Sequence, residues 1–288
     1  MSCPDCFRGV IHDYSEPLGR EEVLHGVRTY IAGRSDSAAS TSTIIFITDA
    51  FGFNLVNSKL LADFLAEKSG FRVLVPDVVP GCGVPVSVLE KMDILTSPVN
   101  WWEIRGQGSR IFSLFQVVPH FLPVVMKGRQ AFGRILPYVR AVRADLPEGS
   151  KLGVAGYCWG GDQTTRLSKE ASFEGGNKPL VDAHYLAHPS SVKVPEDILD
   201  AVDRFHVPFS LAIGDRDFLV SAEKVAQLQD AMIDKCVNGP QRFEYQIEIY
   251  PGCGHGFTVR ADRGKAFEDT TANQAAIQAV EWFQRFLS

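Results

Sequence analysis

The stretch that decides the fold is Lys151-Leu152-Gly153-Val154-Ala155-Gly156-Tyr157-Cys158-Trp159-Gly160-Gly161. Residues 151–155 form a short apolar run, as a buried parallel strand requires. The run passes into the form G-x-nucleophile-x-G-G, and a helix is expected to follow. A nucleophile that projects from a strand-to-helix turn sits in a strained conformation. Side chains two residues to either side of it would collide with the neighbouring strand and helix, and Gly156 and Gly160 relieve that crowding. The turn also puts Cys158 at a helix N-terminus, where the dipole favours a thiolate. The blander alternative is a glycine-rich turn with a small buried cysteine in it; the strand before, the helix after and the paired glycines favour the elbow.

Outward from the elbow, apolar strands alternate with helical patterns. Residues 43–48, 71–75, 183–187, 209–213 and 243–249 read as strands, and 55–69, 223–234 and 271–286 as helices. The first helix stops at Gly70, a C-cap signal. This alternation predicts an α/β fold, with a mostly parallel central sheet and helices on both faces. Residues 23–32 are expected to add an antiparallel strand at the edge. The segment 80–137 breaks the rhythm: it is rich in aromatics, among them Trp101, Trp102, Phe112, Phe115 and Phe121, and poor in strand signals. It reads as helical material, part of it over the C-terminal edge of the sheet and so near the active site. No linker or repeat interrupts the chain, so 1–288 is expected to be one domain.

Composition narrows the function. The 288 residues are 45% hydrophobic and 22% charged, ordinary for a globular protein. The net charge of −5 and the lack of basic runs argue against nucleic acid. No unbroken run of about 20 apolar residues exists, so no membrane partner is expected. The opening residues lack the regions of a signal peptide, and a cytoplasmic location is expected. There the six cysteines, at 3, 6, 82, 158, 236 and 253, should be thiols. Cys3 and Cys6 form a C-x-x-C pair with no second pair to complete a zinc site, and no G-x-G-x-x-G follows a strand, so neither metal nor cofactor is expected.

A nucleophile needs a base, and the base needs a group to orient it. His255 lies in a glycine-flanked loop, Gly252-Cys253-Gly254-His255-Gly256-Phe257, after the last strand. Asp217 lies in Gly214-Asp215-Arg216-Asp217, just beyond another strand end. Asp215 competes for the role of orienter, and either aspartate could instead be a helix cap; Asp217 is preferred. His188, before Pro189-Ser190 at a strand end, is a candidate to line the same cleft. The histidines at 12, 25, 120, 184 and 206 have no such context.

Together these residues resemble the dienelactone hydrolase family, in the α/β-hydrolase fold. The matching motifs are G-x-C-x-G-G at 156–161, G-x-x-D at 214–217, G-H-x-F at 254–257, and Asp49-Ala50-Phe51-Gly52 with Asn54 after the strand at 43–48. The opening Ser2-Cys3-Pro4-Asp5-Cys6 is similar to members from filamentous fungi. The resemblance implies a Cys158-His255-Asp217 triad that cleaves a lactone or ester through a thioester with the enzyme. It also implies an oxyanion hole of the Trp159 and Ala50 backbone N–H groups. The carboxylate after the first strand would pair with the resting thiol; the family typically has Glu there, and this chain has the shorter Asp49. Arg260 matches an arginine that holds a substrate carboxylate, and Arg105 and Arg110 are candidates for a second. The aromatic segment, with Phe51 and Trp101, suits a bulkier apolar or aromatic small-molecule substrate, of the sort found in secondary metabolism. An isomerase, cyclase or acyl transferase would use the same pocket, and a non-catalytic binding module could keep the fold. A homodimer is left open.

Overall fold

β-branched and apolar runs pair into one eight-stranded sheet in the computed structural model of the chain, which describes residues 16–33, 42–96, 100, 102–238 and 243–288. In chain order the elements are β1 (Arg20–Leu24), β2 (Val27–Ala32), β3 (Thr43–Ile47), α1 (Val56–Ser69), β4 (Arg72–Pro76), α2 (Val88–Thr96) and α3 (Ile104–Asp145). Then come β5 (Leu152–Tyr157), α4 (Gly160–Leu167), β6 (Ala183–Ala187), α5 (Glu196–Phe205), β7 (Phe209–Gly214), α6 (Ala222–Asn238), β8 (Tyr245–Tyr250), α7 (Phe257–Arg260) and α8 (Ala266–Leu287). The strand order is β1-β2-β4-β3-β5-β6-β7-β8. The pairs from β4 through β8 are parallel, and β1 and β2 add antiparallel pairs at one edge. Helices α1 and α8 touch each other on one face, while α3, α4, α5 and α6 form a contacting series on the other. This is the mostly parallel α/β architecture expected from the alternation of elements, and it is the α/β-hydrolase fold that the resemblance implies.

The central strands β3, β5, β6 and β7 are buried at every position, which is why they read as continuous apolar runs rather than alternating ones. Phe46 stacks on Tyr157 across β3 and β5 at 4.3 Å between ring centroids. Phe283 of α8 reaches the sheet beside Tyr185, with its ring close above Gly153.

Three details differ from the sequence reading. The edge segment is a hairpin rather than one strand, because His25 and Gly26, with φ of 49° and 76°, make a two-residue turn of left-handed residues. Helix α5 was not expected: it is short, and only Ile198, Ala201 and Val202 of it are buried. Third, the stretch Ile104–Gly128 of α3 is long and apolar enough to cross a membrane by length and composition. It has no unbroken apolar run, only a high average hydropathy, because polar residues and prolines interrupt it. One side of the same helix packs into the protein core through Val117, Val124 and Ala131.

The segment 80–137 is largely helical as expected, in α2 and in α3, which runs for 42 residues with Pro119, Pro123 and Pro137 inside it. Trp101, Cys3 and Cys6 lie outside the described residues.

Candidate active site

The elbow is built as its glycines require. Cys158 adopts φ of 50°, a left-handed conformation that a non-glycine residue keeps only when its surroundings hold it there. A Cβ on Gly156 would lie 2.8 Å from the Gly160 carbonyl oxygen and overlap the Thr164 hydroxyl. A Cβ on Gly160 would lie 2.8 Å from the Thr48 carbonyl oxygen and overlap that of Ile47. The Gly160 N–H donates to that same Thr48 carbonyl at 3.1 Å, which ties α4 to the end of β3.

Three strand ends converge on this turn. His255, beyond β8, places Nε2 3.1 Å from Cys158 Sγ. Its Nδ1 lies 2.9 Å from Asp217 Oδ2, beyond β7. Asp217 is fixed in turn, because its Oδ1 accepts the N–H groups of Leu219 at 2.8 Å and Val220 at 3.3 Å. The rival Asp215 points elsewhere and accepts the Gly252 N–H at 2.7 Å, so it braces the histidine loop from outside. Sequence reasoning missed Ser190, whose Oγ is 3.7 Å from Sγ. Its place after Pro189 at the end of β6 was the available signal.

Electrostatics couple the pair. Burial alone would raise the Cys158 thiol, but the charge and hydrogen bond of His255 outweigh it and hold the thiol below its ordinary range. Burial would likewise lower His255, but the sulfur on one side and the Asp217 carboxylate on the other raise it to about 9. Both shifts favour a thiolate beside an imidazolium at neutral pH.

Asp49 does not meet the thiol. It is buried, its Oδ1 accepts the Phe51 N–H at 3.0 Å, and its Oδ2 has no hydrogen-bond partner. Burial raises its carboxyl, against the lowering charge of Arg260. The side chain one methylene shorter than Glu turns back on its own loop, and His255 takes the place beside sulfur. Asp49 thereby orders the turn that carries the Ala50 N–H. Among the described residues, neither that N–H nor the Trp159 N–H has an acceptor in the protein.

His188 is placed beneath the site rather than on its surface. It is fully buried, and its ring meets that of His255 edge to face at 5.1 Å between centroids. Its Nε2 is 2.6 Å from Thr258 Oγ1 at the start of α7, and burial holds it neutral. It supports the histidine loop, and the expectation that it lines the cleft is corrected.

Arg260 is buried, with Nη2 donating to the His255 carbonyl at 3.3 Å and the guanidinium 5.6 Å from the centre of the Phe51 ring. Both Arg260 and Phe51 line a cavity of about 1110 Å³ that opens onto Cys158 and His255. Arg105 and Arg110 do not line it. One arm of the cavity is apolar, walled by Met92 and Leu95 of α2 and by Val117, Phe121 and Val124 of α3. The other is charged, with Arg166, Lys169 and Lys193 beside Asp162 and Asp197.

Comparisons with known proteins agree with this frame. The sequence model of the dienelactone hydrolase family matches residues 27–287. A protein of Aspergillus violaceofuscus named hydrolase pyvD is 27% identical over 98% of this chain and 96% of its own length. The human carboxymethylenebutenolidase homolog is 23% identical over 94% of this chain and 92% of its own. Among solved structures, a putative dienelactone hydrolase from Klebsiella pneumoniae superposes with a TM-score of 0.62 at 15% identity, covering 93% of this chain and 99% of that one. That last likeness is one of fold. With the family match spanning nearly the whole sheet and every motif of the site, this chain belongs to the dienelactone hydrolase family.

Proposed function

We propose that this protein hydrolyses a carboxylic ester or lactone by covalent catalysis at Cys158. The observation that carries the reading is the hydrogen-bonded line from Cys158 Sγ through His255 to Asp217, at the mouth of the cavity. The thiolate attacks the carbonyl carbon, and the electron pair of the C=O moves to oxygen. The N–H groups of Trp159 and Ala50 stand ready to receive that oxyanion; one such donor is worth on the order of 3 kcal/mol of barrier. Collapse of the tetrahedral species expels the alkoxide, which takes the proton from His255 Nε2 and leaves a thioester on Cys158. Water, deprotonated by the now neutral His255, attacks the thioester, releases the acid and returns sulfur to the thiolate. Asp217 holds the imidazole so that Nε2 faces sulfur throughout.

The cavity supports a substrate larger than a small dienelactone. Its volume of about 1110 Å³ lies just above the ~300–1,000 Å³ usual for ligand sites. Its apolar arm fits an aromatic or long aliphatic acyl group. Family relatives are named hydrolase or carboxymethylenebutenolidase homolog, which supports the ester and lactone class. The test is a side-by-side assay of aryl esters, bulky lactones and a small dienelactone. The expected result is highest kcat/KM on the bulky compounds, with a loss of on the order of 10³-fold or more in Cys158→Ala. Preference for the small dienelactone would refute the substrate size, and full activity of Cys158→Ala would refute the mechanism.

A further inference from the structure

We propose that the outer face of α3 is the contact surface for a second copy of this chain, helix against helix, in a two-fold dimer. This goes beyond the hydrolase reading and does not depend on it. The observation is a seam of exposed apolar side chains: Ile104, Ile111, Phe115, Val118, Leu122 and Val125, each between 48% and 85% exposed. From 111 onward the steps are 4, 3, 4 and 3 residues, and Ile104 lies one heptad before Ile111. That spacing keeps every member on one line of a helix about 32 Å long, by a rise of ~1.5 Å per residue. It is the spacing by which one helix packs along another.

The inward side of α3 is already committed. Val117, Val124, Ala131, Ile135, Tyr138 and Val142 are buried in the protein core, on the side roughly opposite the exposed seam. From residue 117 to 125 α3 is therefore apolar on two opposed sides, and an apolar helix face is ordinarily covered. With Phe112, Leu114 and Met126 flanking the seam, the exposed apolar area is on the order of 900 Å², taking ~150–200 Å² for each large side chain. That exceeds the ~300–600 Å² of the largest patch on a typical monomer and reaches the ~800 Å² per partner of a stable complex.

A second copy fits best for three reasons. The seam residues carry no charge, and Arg105, Arg110 and Lys127 fall outside the seam, so packing the seam against itself buries no charge. A two-fold contact needs only a surface complementary to itself, which a single apolar helix face provides. Finally, Leu114, Val118 and Val125 are exposed and also line the substrate cavity, so a partner helix would close an open flank of the site. A lipid surface is less well matched. Helices that lie on membranes usually carry many Lys and Arg on the polar side, whereas residues 104–128 carry three, Arg105, Arg110 and Lys127, and the side facing away from the seam packs into the core.

Sedimentation velocity of the full chain over a concentration series to about 50 µM tests this, since dimerisation follows mass action. The expected species has twice the 31.7 kDa chain mass. Phe115→Glu and Leu122→Glu, at exposed positions outside the cavity lining, should each halve the observed mass while unfolding cooperatively as the parent does. A parent that stays at the single-chain mass overturns the proposal. So does a dimer that survives both substitutions. Binding of the monomeric parent to phosphatidylcholine vesicles, lost in both variants, would likewise overturn it and assign the face to lipid.

Discussion

Cys158 feels two opposed effects, burial that disfavours its charge and an imidazolium 3.1 Å away that favours it, and the second prevails. The consequence is a pH window. As pH falls through the lowered thiol value the sulfur is protonated and the nucleophile is lost. As pH rises through about 9 His255 loses its proton, and the alkoxide leaving group loses its acid. Turnover should therefore follow a bell with its basic limb near 9. Iodoacetamide should alkylate Cys158 rapidly at neutral pH, and His255→Ala should move thiolate formation, read by ultraviolet absorbance, up past the range of an ordinary cysteine, since burial then acts unopposed by the histidine. An unchanged alkylation profile in that variant would contradict the ion pair. Asp217→Asn should lower kcat by on the order of 10²–10⁴, with little change in fold, since its Oδ1 can still accept the Leu219 N–H. Cys158, His255 and Asp217 were legible as a set because each sits in a short motif at a strand end. Asp49 was legible as a position but not as a contact. Its turn back to the Phe51 N–H depends on side-chain reach in a buried pocket, which no motif encodes. The support from His188 through Thr258 joins residues 70 apart in sequence and had no local signal.

The elbow and α3 show how elements divide between what local pattern fixes and what packing fixes. At the elbow the glycines are required by close approach, so Gly160→Ala should displace the Trp159 N–H and cost about 1–3 kcal/mol in a denaturant titration. Gly133→Ala is the contrast. A Cβ there meets nothing within 4 Å in a helical stretch, and the change should stabilise the protein by about 0.5–1 kcal/mol. If both changes act alike, the crowding argument for the elbow fails. The strands were legible because buried parallel strands are continuous apolar runs. Helix α3 was legible only as helical material. Three prolines obscure its length in sequence, since each removes a backbone donor, yet the helix persists because its inward stripe packs on the core. The hairpin β1–β2 escaped because its turn uses His25 in a left-handed conformation rather than the usual Asn or Asp.

Across the whole molecule, one sheet gathers Cys158 from β5, Asp217 from beyond β7 and His255 from beyond β8 at its C-terminal edge, and this order follows from a parallel topology. The sheet and its two helical layers hold that convergence together. Phe283, fully buried between α8 and β5, should cost about 3–5 kcal/mol when truncated to Ala, and chemical denaturation reads that loss. The apolar and charged arms of the cavity were less legible, because they are assembled from α2, α3, α4 and the segment after β6, which lie far apart in sequence. Catalysis is proposed to pass through a thioester on Cys158 that His255 helps to hydrolyse. Intact-protein mass spectrometry of His255→Ala, mixed with a nitrophenyl ester at mildly alkaline pH, tests it most directly. The expected result is one acyl group per chain, mapped to Cys158, persistent in this variant and absent when Cys158 is replaced by Ala. An acyl group on Ser190, Cys82 or Cys236 instead, or no adduct while the parent protein turns over the same ester, would contradict it.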